Sequence, residues 1–225
     1  MRKMVLIGSV VMTLLASLLT SSPAAATGFL SLPVPPPKDR IVIDVVTVNG
    51  TGCPAGTAAV AVSPDNTAFT VTYSAFTAMV GVGALPLDFR KNCQINLVVN
   101  VPSGFTYAVS KTDFRGFGTL AKGASAVQGA RYYFQGQSQT AFSNHHFNGA
   151  TQRDWQGDWQ TTDEVDVAQL VYAPCGVKRN FNINTTLTVN AGSSDVRKTT
   201  SFFNMDSTDG ALDTIYHFAW ATCPR

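Results

Sequence analysis

Pro174-Cys175-Gly176-Val177-Lys178-Arg179-Asn180-Phe181-Asn182-Ile183-Asn184-Thr185-Thr186-Leu187-Thr188-Val189 is the stretch whose reading decides the fold. A cysteine and a glycine open it, and apolar and polar side chains then alternate. Phe181, Ile183, Leu187 and Val189 share one parity with Thr185 between them, while Asn182, Asn184, Thr186, Thr188 and Asn190 share the other. Successive side chains of an extended chain point to opposite sides, so this alternation fits a strand with one face in a core and one in water. Thr, Val, Phe and Ile also suit a pleated surface.

The same pattern recurs on either side. Phe69, Val71, Tyr73 and Ala75 alternate with Thr70, Thr72 and Ser74, and Ile95, Leu97, Val99 and Val101 alternate with Gln94, Asn96 and Asn100. Tyr216, Phe218 and Trp220 share one face of a strand over 215–221. Further strands are expected over 41–48, 58–62, 105–109, 165–172 and 199–205, and through Tyr132 to Gln135. Asn49-Gly50, Pro64-Asp65-Asn66 and Ala191-Gly192-Ser193-Ser194-Asp195 are turn signals, and Pro102-Ser103-Gly104 reads as a hairpin. Residues 85–92 read as a connection, and 138–164 as a long polar loop without periodicity. Gly116, Gly118, Gly123, Gly129 and Gly136 match no phosphate-binding pattern ahead of a helix. Bulged, twisted strands or close backbone approach account for them better. No amphipathic helix stands out. The expectation is all-β: a disulfide-bonded β-sandwich with Greek-key or jelly-roll-like connections, forming a single domain over 40–225.

Upstream, Met1-Arg2-Lys3, an apolar run from Val5 to Leu19 and Ala24-Ala25-Ala26 follow the three-part pattern of a secretory signal peptide over 1–26. The run is short for a membrane span, so no transmembrane anchor is expected after cleavage. Residues 27–39 form a proline-rich arm, with Leu32-Pro33-Val34-Pro35-Pro36-Pro37 too rich in proline for helix or inner strand. The arm reads as a spacer. The formal charge is +2, and losing Arg2 and Lys3 brings it to zero. Neither sign forms a run, so the basic stripe of a nucleic-acid binder is missing.

Cys53, Cys93, Cys175 and Cys223 all follow the export signal, and an even number in an oxidising compartment reads as two disulfides. Three pairings are possible. Cys53–Cys93 with Cys175–Cys223 is favoured, because each bond then encloses one consecutive group of strands; each is worth roughly 4 kcal/mol by chain entropy. A metal site at the cysteines is disfavoured, since there is no C-x-x-C and no histidine at ligand spacing.

Several short motifs recur in a recognisable order. They are Asn49-Gly50-Thr51-Gly52-Cys53-Pro54, then Lys91-Asn92-Cys93-Gln94-Ile95-Asn96-Leu97, Val101-Pro102-Ser103-Gly104-Phe105 and Phe114-Arg115-Gly116-Phe117. Tyr132-Tyr133-Phe134-Gln135-Gly136, Pro174-Cys175-Gly176, Asn182-Ile183-Asn184-Thr185 and Trp220-Ala221-Thr222-Cys223 complete the series. In this order the chain resembles the secreted domain of unknown function 4360, over nearly all of the sequence after the proline arm. The resemblance implies export and a β-rich domain, and brings no catalytic residues with it. One departure is Tyr172-Ala173, where the family tends to carry Trp-Ser.

Two regions are candidates for chemistry. The loop from Ser143 to Asp166 holds His145, His146, Asp154, Asp158, Asp163, Glu164 and Asp166 beside Trp155 and Trp159. It could serve a glycan hydrolase through Asp154, Asp158 or Glu164, with the tryptophans stacking on sugar. Asp154, Asp158 and Asp163 are weak candidates for calcium, the one cofactor considered, and no other cofactor is expected. The plainer account, which leads, is a solvated acidic loop whose tryptophans pack on the sheet edge. Neighbouring residues of an extended chain face opposite ways, so His145 and His146 do not share one ion. His217 reads as a surface or satisfied histidine.

The second region is the polar face of the central strand, where Asn182, Asn184, Thr186 and Thr188 offer amides and hydroxyls suited to sugar hydroxyls, with Asn96 and Asn100 on a neighbouring strand. Its plainer account is a solvated outer face. Asn49-Gly50-Thr51 and Asn184-Thr185-Thr186 also fit the N-glycosylation pattern of a eukaryotic host. No serine elbow, zinc-protease motif or free thiol is present. The expected protein is thus secreted, non-enzymatic and partnered with extracellular polysaccharide or cell wall. Trp155, Trp159 and the Asn/Thr face are the candidate ligand-binding residues. A hydrolase, or a structural envelope protein that binds other proteins, is the alternative.

Overall fold

The computed structural model describes residues 33–149, 153–166, 169–205 and 213–224. The signal peptide expected over 1–26 lies outside the described residues. The strands are β1 (Val42–Asn49), β2 (Ala58–Val62), β3 (Ala68–Tyr73), β4 (Thr77–Gly81), β5 (Arg90–Asn100) and β6 (Phe105–Leu120). They continue with β7 (Ser125–Phe134), β8 (Ala141–Asn148), β9 (Trp155–Glu164), β10 (Asn180–Asn190), β11 (Thr200–Asn204) and β12 (Asp213–Thr222).

The first sheet runs β1-β5-β10-β7-β8, all antiparallel, with β10 at its centre. The second runs β2-β3-β12-β6. One edge of the long β6 is shared end to end by β12 and β11, β4 pairs with β11, and β9 takes the other edge. Neighbours far apart in sequence, such as β5 with β10 and β3 with β12, are the crossovers of a Greek-key-type sandwich.

The parity read from the sequence holds along β10. Phe181, Ile183, Thr185, Leu187 and Val189 are buried between the sheets, where they meet Phe69, Tyr73, Tyr107, Tyr216 and Trp220 of the second sheet's core face. Each large apolar side chain buried this way contributes about 1.5–3 kcal/mol. Tyr107 sets its ring edge-on to Phe134 and Phe218, both at 5.5 Å, so one residue couples the two layers. Cys53–Cys93 ties the β1–β2 connection to β5, and Cys175–Cys223 ties the approach to β10 in one sheet to the end of β12 in the other. Both favoured pairings are present.

Four local expectations are corrected. Pro102-Ser103-Gly104 is a turn, but it carries the chain from β5 in one sheet to β6 in the other and makes no hairpin. Residues 165–172 form no strand where described; Val165 and Ala173 donate single backbone bonds to Ser110 and Tyr107. The 138–164 loop contains two strands, β8 and β9. Their inward parity carries Ser143, His145, Thr161 and Asp163 among few apolar residues, so no apolar period marked them. Gly116 and Gly118 sit in a stretch of β6 without a bulge because a Cβ there would lie 2.3 Å from the Trp159 ring and 2.4 Å from Phe203. The bulges fall elsewhere, at Val45/Thr47 and His217/Phe218.

The described part of the proline arm is no free spacer. Val34 N–H donates to Trp220 O at 2.8 Å, and Asn66 Nδ2 donates to Pro37 O and Asp39 O at 2.9 and 2.8 Å. Asn66 is buried, takes a left-handed φ of 58°, and receives the Ile41 N–H and the Trp220 indole N–H. Asn tolerates that backbone better than any β-branched residue would.

Candidate functional site

The outward face of the first sheet carries the second parity of β10, and cross-strand register lines its polar residues into rows. Asn182 faces Asn96 of β5 and Tyr133 of β7; Asn184 faces Gln94 and Arg131; Thr186 faces Asn92 and Gly129; Thr188 faces Arg90 and Val127. On the far side of β7, Arg131 pairs with Phe142 and Gly129 with Asn144 of β8.

These rows do not behave alike. In the first, Asn96 Nδ2 donates to Asn182 Oδ1 at 2.7 Å and Asn180 Nδ2 donates to Asn96 Oδ1 at 2.6 Å. Asn182 is buried in that ladder and supports the sheet. Around Asn184 and Thr186 the face opens into a groove of about 640 Å³, lined also by Thr51, Arg90, Asn92, Gly129, Arg131 and Asn144. Gly129 makes the floor: a Cβ there would stand 2.6 Å from Asn144 Oδ1 and 2.9 Å from Thr186 Oγ1. Asn184 Oδ1 is buried with no hydrogen-bond partner among the described residues, and leaving such a carbonyl unmatched costs about 1–3 kcal/mol. Leu87 and Phe89, 80% and 43% exposed, form an apolar rim beside this polar floor. Among the described lining residues there is no carboxylate.

Of the four residues offered by the β10 face, Asn184 and Thr186 line the groove, Asn182 is spent in the ladder, and half-buried Thr188 stands beside Arg90. Arg90, Arg131, Gly129 and Asn144 are additions that only the register supplies. Of the two N-glycosylation patterns, Asn49 is exposed and Asn184 is half-buried in the groove.

Both tryptophan rings pack against Phe203 of the core. Trp159 is 5% exposed and stacks on Phe203 at 4.7 Å with 10° between the rings, and half-buried Trp155 tilts against the same phenylalanine. They pack on the sheet, as the plainer account has it. Nor are the carboxylates gathered. Asp158 and Glu164 share the outer parity of β9 six residues apart, about 20 Å along a strand, whereas a glycosidic bond is flanked by carboxyls about 5–9.5 Å apart. Asp154 accepts the Lys122 N–H at 2.8 Å. Asp163 faces the opposite way from Asp158, and among the described residues no group of three potential metal ligands comes together.

Asp163 instead accepts a hydrogen bond from the Ser143 hydroxyl and lies 2.7 Å from His145 Nε2, clasping β8 of one sheet to β9 of the other. His146 is exposed on the other side of β8, so the two histidines diverge as expected. The serine bonds to the aspartate rather than to the histidine, so the three do not form the serine–imidazole–carboxylate order of a triad. His217 Nε2 is 2.8 Å from Asp113 Oδ2: a satisfied histidine.

The domain of unknown function DUF4360 matches residues 39–223. The chain belongs to the DUF4360 family. A relative described as an uncharacterized secreted protein, from Arthroderma benhamiae (strain ATCC MYA-4681 / CBS 112371), is 33% identical over 192 residues, covering 84% of this chain and 74% of the relative. Among solved structures, TmCBM61 in complex with beta-1,4-galactotriose overlaps 81% of this chain and 88% of its own at 11% identity, with a TM-score of 0.27. The enzymatically active domain of bacteriophage CBA120 tailspike protein 4 overlaps 79% and 19%, at 15% identity and a TM-score of 0.22. Like its fungal relative, this DUF4360 protein is secreted, and its two disulfides fit an extracellular location. Among the described residues no helix is long and apolar enough to cross a membrane.

Proposed function

We propose that this secreted DUF4360 protein is a polysaccharide-binding module of the cell surface or extracellular matrix, with the groove over Asn184, Thr186 and Gly129 as its site. The observation that carries this reading is the groove floor. An amide carbonyl is held there without a partner among the described residues, beside a glycine whose missing side chain lets Asn144 and Thr186 close in over the strand. Sugar rings present hydroxyls at their edges and C–H groups on their faces. The Asn, Thr and Arg side chains offer donors and acceptors for the former, and Leu87 and Phe89 offer apolar surface for the latter. The groove binds and does not cut, because its described lining has no acid or base pair to protonate a leaving group.

The test is a panel of polysaccharides, including insoluble chitin, cellulose and peptidoglycan, incubated with the mature protein. Retention in the pellet and sugar released to the supernatant are measured in the same tubes. Retention without release, lost on Asn184→Ala with Thr186→Ala, is the expected result. Release of sugar overturns the binding-module reading, and retention by none of the panel favours a protein partner.

A further inference from the structure

We infer that the groove selects acidic polysaccharide, gripping uronate carboxylates through Arg90 and Arg131; this rests on the glycan-binding reading above. The two guanidiniums are the only charged groups among the described residues that line the groove. Both side chains are exposed and, like the other described arginines, neither forms an ion pair with a described residue. With the signal peptide removed, the chain carries no net charge of either sign. The two cations therefore make a local positive site, on a lining without carboxylates, in a chain that has no general basic excess.

Register fixes their spacing. Arg90 stands opposite Thr188 on one side of β10, and Arg131 opposite Asn184 on the other. They are offset by about 13 Å along the strands and about 10 Å across them. The arginines thus stand diagonally at opposite sides of the floor made by Gly129, Thr186 and Asn184, so an extended polymer crossing that floor meets one cation on either side. Guanidinium presents a rigid fork of N–H donors that matches a carboxylate two bonds at a time, which an ammonium does not. With no carboxylate in the described lining, an acidic chain meets no repulsion, and a neutral chain forgoes the charge-assisted bonds.

The experiment compares polygalacturonate with the same polymer fully methyl-esterified, which keeps the sugar skeleton and removes the charge. Full-length mature protein is used, at low and at 0.5 M salt, beside the neutral panel and dextran sulfate. Polygalacturonate is expected to be held about tenfold or more tightly than its ester. That preference should shrink with salt and disappear in Arg90→Gln/Arg131→Gln. Arg131→Lys, which keeps the charge but loses the fork, should recover it only in part. The substituted positions are exposed, so unchanged melting temperatures confirm folding.

Equal retention of acid and ester overturns charge selection and leaves the glycan-binding reading standing, as does retention of neutral polymers alone. Retention of nothing sinks both. A preference that survives the double substitution overturns the assignment to these arginines and moves attention to the cleft around Cys175–Cys223, which carries Lys178 and Arg179. Tighter binding of dextran sulfate than of polygalacturonate overturns the carboxylate assignment.

Discussion

The Asp113 cluster on the outer face of the second sheet and the groove on the outer face of the first use similar polar residues and treat them in opposite ways. On the second sheet, Asp113 receives the Thr162 hydroxyl at 2.6 Å and lies 2.8 Å from His217 and 3.5 Å from Lys111, while Thr72 donates to Asp213 at 2.8 Å. Burial pushes the Asp113 carboxyl up, but the bonds from Thr162 and His217 and the charge of Lys111 outweigh it and hold the group below the usual carboxylate range. On the first sheet, the Asn184 carbonyl has no partner among described residues, and the two arginines stand unpaired. A buried polar group stays unmatched only at a cost, and groups kept that way are the ones free to meet a ligand. In the Asp113 cluster polarity is spent on structure; in the groove it stays available for binding.

That contrast can be broken from either side. The largest effect is expected at Trp159→Ala, which removes a ring stacked on Phe203 from the core and should cost about 3–5 kcal/mol in denaturant unfolding. The molecules still folded should bind polysaccharide normally; lost retention at unchanged stability would restore the tryptophan as a sugar platform. Asp113→Asn should cost about 1–3 kcal/mol and leave retention untouched. Its pH dependence has a definite sign. The folded carboxyl titrates below its unfolded value, so its contribution is full above about pH 4 and is lost as pH falls through the folded value. The variant should therefore show a shallower loss of stability in acid, and an unchanged acid slope would mean that the cluster does not tie the face together.

The groove should answer in reverse. Gly129→Gln fills the floor, and its nearest obstacles are the ends of Asn144 and Thr186 rather than backbone. Retention should fall about tenfold or more, equivalent to about 1.4 kcal/mol, with little change in melting temperature. Asn184→Ala, the smallest effect, should weaken retention about fivefold while leaving stability level or slightly raised, because the carbonyl it removes is unmatched. A drop in stability with intact binding at either position would make this face ordinary sheet surface.

Much of this was legible in the chain. β10, β5 and β12 announce themselves because one parity is apolar and the other is not, and the cysteines enclose consecutive strands. β8 and β9 were hidden because their inward parity holds Ser143 and His145, which bond to Asp163, and Thr161, which donates to Gln128 of β7, rather than packing in oil. The Asn/Thr face was visible as a repeat. Its division into a closed ladder at Asn182 and an open groove at Asn184 depends on which residues β5 and β7 bring alongside, and register is not written locally. The tryptophans misled because an aromatic among acids looks the same whether its ring meets sugar or Phe203. Asn66 gave no signal beyond a turn, since its partners Ile41, Pro37 and Trp220 are separated from it by up to 154 residues.

The placement of β12 has a consequence for how the protein is made. It lies between β3 and β6, and its Asp213 bonds to Thr72, 141 residues earlier. Until the last strand emerges, Phe69 and Val71 of β3 lack their partners Tyr216 and Thr214, and the Cys175 thiol has no Cys223 to meet. Such distant contacts make for slow folding and prolonged exposure of sticky edges. A nascent copy must therefore be kept unfolded or chaperoned through export, with oxidation of the second thiol pair marking the moment of closure.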